Sequence, residues 1–154
     1  MGLEIERKFL VTGDAWRAGG RPVLLRQGYL SSQAERVVRV RIEDDRAMLT
    51  IKGPNVGASR GEWEYPIPLA DAEHMLAHLC ETPLIEKYRT RVVFAGMTWE
   101  VDEFLGANAG LVVAEIELES EQQAFERPDW VGQEVTDQRR YYNSCLIKQP
   151  YSQW

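Results

Sequence analysis

The chain has 154 residues, a length for one domain, with a net charge of −6, 44% hydrophobic residues and 27% charged residues. That apolar share supports a packed core and excludes wholesale disorder; no apolar stretch approaches the roughly 20 residues that span a bilayer, and the acidic balance argues against duplex nucleic acid as a partner. The two cysteines, Cys80 and Cys145, are too few for a disulfide scaffold or a zinc cluster.

The first residues, MGLEIERKFL, lack a signal-peptide layout, and Glu6 stands where myristoylation at Gly2 would need Ser or Thr, so a cytoplasmic protein is expected. No repeat, linker or low-complexity tract interrupts residues 1–154, which read as one domain. From Leu3 to Phe9 the even positions are charged and the odd ones mostly apolar, a period of 2 that predicts a strand. The same alternation returns in Val38–Ile42 with arginines, in Leu49–Lys52, and in Glu62–Ile67 with acids opposite Trp63, Tyr65 and Ile67. Ala72, Met75, Leu76 and Leu79 keep helical spacing, with Asp71 as the expected N-cap and Pro83 as the stop. Strand alternation resumes from Glu86 to Phe94, in Trp99–Asp102 and in Glu115–Glu119. Ser120 and Gln123 fit a capping box for a short helix ended by Pro128, and a helix over Thr136–Ile147 is also expected.

One charged strand face is usually a solvated face on a half-buried sheet. Here, however, some strands carry only acids on that face and others only bases. A solvated face usually mixes signs and includes Ser, Thr, Asn and Gln. The pattern therefore predicts a closed or nearly closed antiparallel barrel, mainly β, with a charged interior and a few helices covering its apolar outside. The proposed inward acids are Glu4, Glu6, Glu62, Glu64, Glu100, Asp102, Glu115 and Glu117; the inward bases are Lys8, Arg39, Arg41, Lys52, Lys87, Arg89 and Arg91. Burying either set alone would cost several kcal/mol per group. A polyanion bridged by a divalent metal needs both: Arg and Lys take phosphate oxygens, and carboxylates hold hard cations such as Mg²⁺ or Mn²⁺, which polarise phosphoryl groups and activate water.

Glu4-x-Glu6-x-Lys8 resembles the N-terminal ExExK signature of the CYTH, or triphosphate tunnel metalloenzyme, superfamily. The likeness continues through Arg39-x-Arg41, Lys52, Glu62-x-Glu64, Lys87-x-Arg89, Asp102, Glu115-x-Glu117 and the segment Val135–Tyr141. The short length is similar to that of the bacterial inorganic triphosphatases in the family. The resemblance implies an eight-stranded β tunnel that binds a triphosphate end-on. It implies Glu4, Glu6, Glu62, Glu64, Asp102, Glu115 and Glu117 as ligands for Mg²⁺ or Mn²⁺, and Lys8, Arg39, Arg41, Lys52, Lys87 and Arg89 as phosphate binders. It also implies that Tyr29 partners Lys8 in handling protons. The expected reaction is hydrolysis of inorganic triphosphate to pyrophosphate and phosphate. Class IV adenylyl cyclase and thiamine triphosphatase are alternatives on the same fold; a non-catalytic polyphosphate-binding barrel is one of another class. The expected partner is a small triphosphate, without nucleic acid or membrane, and a homodimer is compatible with the sequence.

Other motifs carry less. His74 and His78, at i and i+4, read as solvent-facing, with no third zinc ligand nearby, and as the only histidines they make a Ser-His-Asp site improbable. Gly53, Gly57 and Gly61 precede no GK[ST] and read as a flexible hairpin connection. The five tryptophans show no spacing for stacking on single-stranded nucleic acid and are assigned to packing.

Overall fold

A computed structural model describes residues 2–154. Nine strands run in chain order: β1 (Gly2–Val11), β2 (Val23–Gln33), β3 (Arg36–Glu43), β4 (Arg46–Lys52), β5 (Ser59–Ile67), β6 (Ile85–Phe94), β7 (Met97–Phe104), β8 (Val112–Glu117) and β9 (Val131–Glu134). Two α-helices accompany them, α1 (Leu69–His78) and the single turn α2 (Asn143–Leu146). The sheet order is β5-β4-β3-β2-β6-β7-β8-β1-β9, and β1 also pairs with β5, which closes eight antiparallel strands into the expected barrel.

β1 makes the closure. Its residues 2–5 pair with 62–59 of β5, and residues 6–10 pair with 117–113 of β8. Further along, Phe9 and Val11 pair with Glu134 and Val131 of β9, so β9 covers an edge that β5 leaves free. The hairpins follow turn chemistry. β6 and β7 are joined by Ala95 and Gly96 alone, both at positive φ (50° and 78°), the two-residue connection whose twist matches that of the flanking strands.

The apolar residues of the alternating strands point outward and need cover. Phe9, Trp99, Val101, Ala114 and Ile116 form one outer cluster with Trp16, Leu118 and Trp130, and Phe125 packs against it. Trp16 comes from a 3₁₀ turn over Ala15–Gly19. On the other flank Val40, Ile42 and Ala47 are covered by Ala72 and Leu76 of α1. A third cluster sits at one end of the barrel, where Tyr29, Val37, Ile85, Phe104 and Val113 meet Tyr141, Leu146 and Ile147. These strand residues share the inward parity of the charged positions, so the C-terminal segment plugs that end with apolar side chains.

Three local expectations are corrected. Helix α1 starts after Pro68, and Asp71 lies in its first turn rather than at the N-cap. Residues 120–127 form turns rather than a helix: Gln123 accepts a hydrogen bond from the Glu119 amide (2.6 Å), one residue before the expected cap. Thr136–Ile147 is no continuous helix but a 3₁₀ turn over Arg139–Tyr141 followed by α2, because Tyr142 sits extended between them at φ −70°, ψ 135°. His74 and His78 lie side by side on α1, with ring centroids 4.7 Å apart.

Candidate active site

Alternation along seven strands brings the charged residues singled out in the sequence into one cavity of about 360 Å³. Glu4, Glu6 and Lys8 reach it from β1, Arg39 and Arg41 from β3, and Lys52 from β4. Glu62 and Glu64 come from β5, Lys87 and Arg89 from β6, and Glu115 and Glu117 from β8; Tyr29 of β2 lines it too. Asp102 of β7 stands just behind the wall, 2% exposed, directly opposite Arg89 in the ladder.

The charges pair in a definite pattern. Arg89 donates to both Asp102 oxygens (2.7 and 2.8 Å) and also meets Glu115 (3.3 Å) and Glu100 (3.1 Å). Lys87 Nζ reaches Asp102 at 2.8 Å and the Asn143 side-chain oxygen at 2.8 Å. Lys8 Nζ lies 3.2 Å from Glu115 and donates to the Tyr141 carbonyl (3.4 Å). Lys52 bridges Glu4 (3.0 Å) and Glu62 (3.4 Å). Arg39 donates to Thr50 (3.2 Å), whose hydroxyl donates in turn to Glu64 (2.9 Å). Tyr29 and Lys8 share the cavity, yet their hydrogen bonds go elsewhere: the Tyr29 hydroxyl accepts from Gln27 (3.2 Å).

Two regions of the wall stay out of balance. On the basic side, burial together with Arg39 and Arg89 pushes Arg41 down to about 9. Burial, with Arg89 and Arg41 added against the pull of Asp102, pushes Lys87 down to about 7. The buried Nε of Arg39 has no hydrogen-bond partner among the described residues. On the acidic side, Glu6 faces Glu117 across the β1–β8 ladder, a like-charge pairing that costs stability. Burial, Glu115 and Glu4 hold the Glu6 carboxyl well above its ordinary range. Burial followed by Glu4 and Glu100 raises Glu117, and burial followed by Glu4 raises Glu62. Glu115 goes the other way: against burial, Lys8, Arg89 and Lys87 hold it well below the usual carboxylate range.

This wall would accept an anion against Arg39, Arg41 and Lys87 and a hard cation against Glu6, Glu117 and Glu62. Among the described residues no three His, Cys, Asp or Glu side chains form a ready-made metal cage. That still fits Mg²⁺-type ions, which usually keep several waters and are held by one or two carboxylates plus substrate phosphates. Asp102 fits this role least, being saturated by Arg89 and Lys87.

Some residues of the site carried no sign in the sequence. Thr50 links Arg39 to Glu64, and the Tyr142 ring lies 5.5 Å from Lys8 Nζ. Gln27 and Asn143 join Arg41 to Lys87. Gln27 shares the parity of Tyr29, the one signal that could have found it; Asn143 lies in the plug, where no strand pattern reaches. Arg91, expected to point inward, spans from β6 to Glu43 of β3 (3.1 and 3.2 Å) and holds Glu100 (3.1 Å) at the rim.

The chain is similar to known proteins over nearly its whole length. The CYTH domain family model matches residues 2–146. An inorganic triphosphatase of Acetivibrio thermocellus is 54% identical over 151 residues, covering 98% of this chain and 97% of that protein. One of Nitrosomonas europaea is 38% identical over 151 residues, covering 93% and 95%. A solved inorganic triphosphatase structure superposes with a TM-score of 0.65 at 34% identity, over 94% of this chain and 93% of that one.

Proposed function

The chain belongs to the CYTH domain family, and from that premise we propose that it is an enzyme hydrolysing inorganic triphosphate to pyrophosphate and phosphate with the help of Mg²⁺ or Mn²⁺. The observation that carries this reading is the two-sided imbalance of one cavity: under-compensated cations at Arg41 and Lys87 and the unpartnered Nε of Arg39 face crowded carboxylates at Glu6, Glu62 and Glu117. A triphosphate with a divalent ion relieves both at once. The two relatives named as inorganic triphosphatases, alike over nearly the whole chain, support the same substrate.

Catalysis of phosphoryl transfer is mostly positioning and electrostatic stabilisation. Arg39, Arg41, Lys52, Lys87 and Arg89 would hold the phosphate oxygens and neutralise charge growing on the leaving pyrophosphate. Glu4, Glu6, Glu62, Glu64, Glu115 and Glu117 would hold the ion, with Asp102 acting from behind through Arg89 and Lys87. When bound, the ion would neutralise phosphoryl charge and lower the pKa of water. Tyr29 and Lys8 line the cavity without touching each other's hydrogen-bond partners, so they would handle protons through the substrate. Residues 1–154 act as one domain in this reading, in the cytoplasm. Among the described residues no helix is long and apolar enough to cross a membrane.

The test is an assay of tripolyphosphate, pyrophosphate, ATP and thiamine triphosphate with Mg²⁺ or Mn²⁺. Pyrophosphate reaches fewer of the cations, and ATP must place a ribose and base against a charged wall. The expected kcat/KM for tripolyphosphate exceeds that for ATP by at least about 10-fold, or 1.4 kcal/mol. Cyclic AMP as the main product from ATP, or faster turnover of thiamine triphosphate, overturns the reading.

A further inference from the structure

We infer that Gln27 and Asn143 are positioning residues for the tunnel: an amide pair, Gln27 buried and Asn143 half-buried, that fixes Arg41 and Lys87 without neutralising Arg41. This rests on the proposal that a polyphosphate occupies the cavity. The other proposed phosphate-binding cations each meet a carboxylate: Lys8 with Glu115, Arg39 with Glu64, Lys52 with Glu4, and Lys87 and Arg89 with Asp102. Arg41 has no ion pair among the described residues. Its Nε instead donates to the Gln27 side-chain oxygen at 2.8 Å.

The direction of the network is set by its donors. A guanidinium only donates, so Gln27 must turn its oxygen to Arg41 and its amide nitrogen away. That nitrogen donates to the Tyr29 hydroxyl (3.2 Å) and the Asn143 oxygen (3.2 Å). The same Asn143 oxygen accepts from Lys87 Nζ (2.8 Å). A flipped Gln27 would set N–H against N–H at Arg41. Gln27 is fully buried on β2, and a buried amide is costly unless its groups are bonded, which here they are. α2, at the plugged end, thus reaches into the wall and sets the orientation of two cations that lie on different strands.

Neutrality is the functional point. A carboxylate at Gln27 would hold Arg41 equally well but would cancel the charge that a phosphate needs. Positioning and charge are therefore separable. The experiment compares wild type with Gln27→Glu, which is nearly isosteric, by calorimetric binding of tripolyphosphate without divalent metal, by thermal melting, and by kcat and KM with Mg²⁺. The expected result is at least fivefold weaker tripolyphosphate binding and a raised KM, larger than any fall in Tm accounts for, since glutamate cannot make the two bonds that the Gln27 nitrogen donates to Tyr29 and Asn143. Asn143→Asp, which sets a carboxylate on Lys87, should weaken binding in the same way and serves if Gln27→Glu does not fold. Binding changed by less than fivefold in a folded variant overturns the inference, as does a loss of affinity that only parallels a loss of Tm. A wild type that neither binds nor hydrolyses tripolyphosphate overturns the triphosphatase reading itself, and this inference with it.

Discussion

Asp102→Asn removes one negative charge while keeping the shape of the side chain. In the fold this carboxylate is buried, receives two hydrogen bonds from Arg89, and lies 2.8 Å from Lys87 Nζ. Burial opposes its charge, yet Arg89 and Lys87 hold its pKa below the ordinary value. The asparagine leaves two buried cations sharing one neutral oxygen. Breaking a buried pair from one side costs about 3–5 kcal/mol. For a domain of this size each kcal/mol moves Tm by roughly 2–4 °C, so the melting temperature should fall by roughly 6–20 °C. Thermal and urea unfolding without metal measure this. The sign in pH follows from linkage: an acid whose folded pKa is depressed stabilises above its unfolded pKa, and that stability fades as pH falls through the folded value. The gap between wild type and variant should therefore close on acidification. Glu6→Gln is the internal contrast, because Glu6 is crowded by burial, Glu115 and Glu4; its metal-free stability should stay level or rise. A loss below about 1 kcal/mol for Asp102→Asn would refute the assignment of Asp102 as counter-ion and return it to the set of metal ligands.

Glu117→Gln should lower turnover by on the order of 100-fold or more, and EDTA should abolish it; full activity in metal-free buffer would be decisive against an ion. Arg39→Ala and Arg41→Ala should damage activity far more than Arg36→Ala, since Arg36 is exposed on the other face of β3, and Arg39→Lys should rescue only partly because the planar fork is lost; equal effects of the three alanine variants would refute the inward assignment. Lys87, at about 7 against an ordinary 10.5, binds fewer protons folded than unfolded between those values, so its share of stability rises with pH across that window. Tripolyphosphate favours the charged ammonium, so binding near pH 8 should take up protons, seen as alkalinisation of a weakly buffered mixture; no uptake counts against a neutral fraction at Lys87. Leu146→Ala, in the fully buried plug, should cost about 2–5 kcal/mol of stability, read by urea unfolding.

The barrel and its inward face were legible because parity is cheap to read. In the stretches Leu3–Phe9, Val38–Ile42 and Lys87–Val92 every second residue is charged and most of the others are apolar, and a strand has no other way to sort them. β9 was hidden because four residues, Val131–Glu134, carry too little alternation to distinguish from a loop. The C-terminal stretch showed apolar spacing that looked helical, but its apolar side chains serve a barrel end, and tertiary packing overrode the period. Gln123 did cap a backbone amide, at Glu119 rather than Ser120, so the signal was local chemistry without a helix behind it. Gln27 and Asn143 escaped because neutral amides leave no mark on a charge pattern, although they hold two of the cations.

The placement of the cores explains how such an interior can persist. Charges that repel between neighbouring strands of the wall, as Glu6 and Glu117 do, lower stability, and buried ion pairs at best roughly offset their own desolvation. Stability must come from elsewhere, and here it lies outside the wall and in the apolar plug at one end. Phe9 and Trp99, with ring centroids 5.5 Å apart, stand back to back with the charged positions of the same strands, and Phe125 and Trp130 close over them. Along β1 and β7 the stabilising and destabilising residues thus lie on opposite faces one residue apart. A substitution on the outer face should move Tm with little change in affinity for tripolyphosphate. One at Glu6, Glu62 or Glu117 should do the reverse, because the strain it relieves is the strain that a metal–triphosphate complex would otherwise relieve on binding.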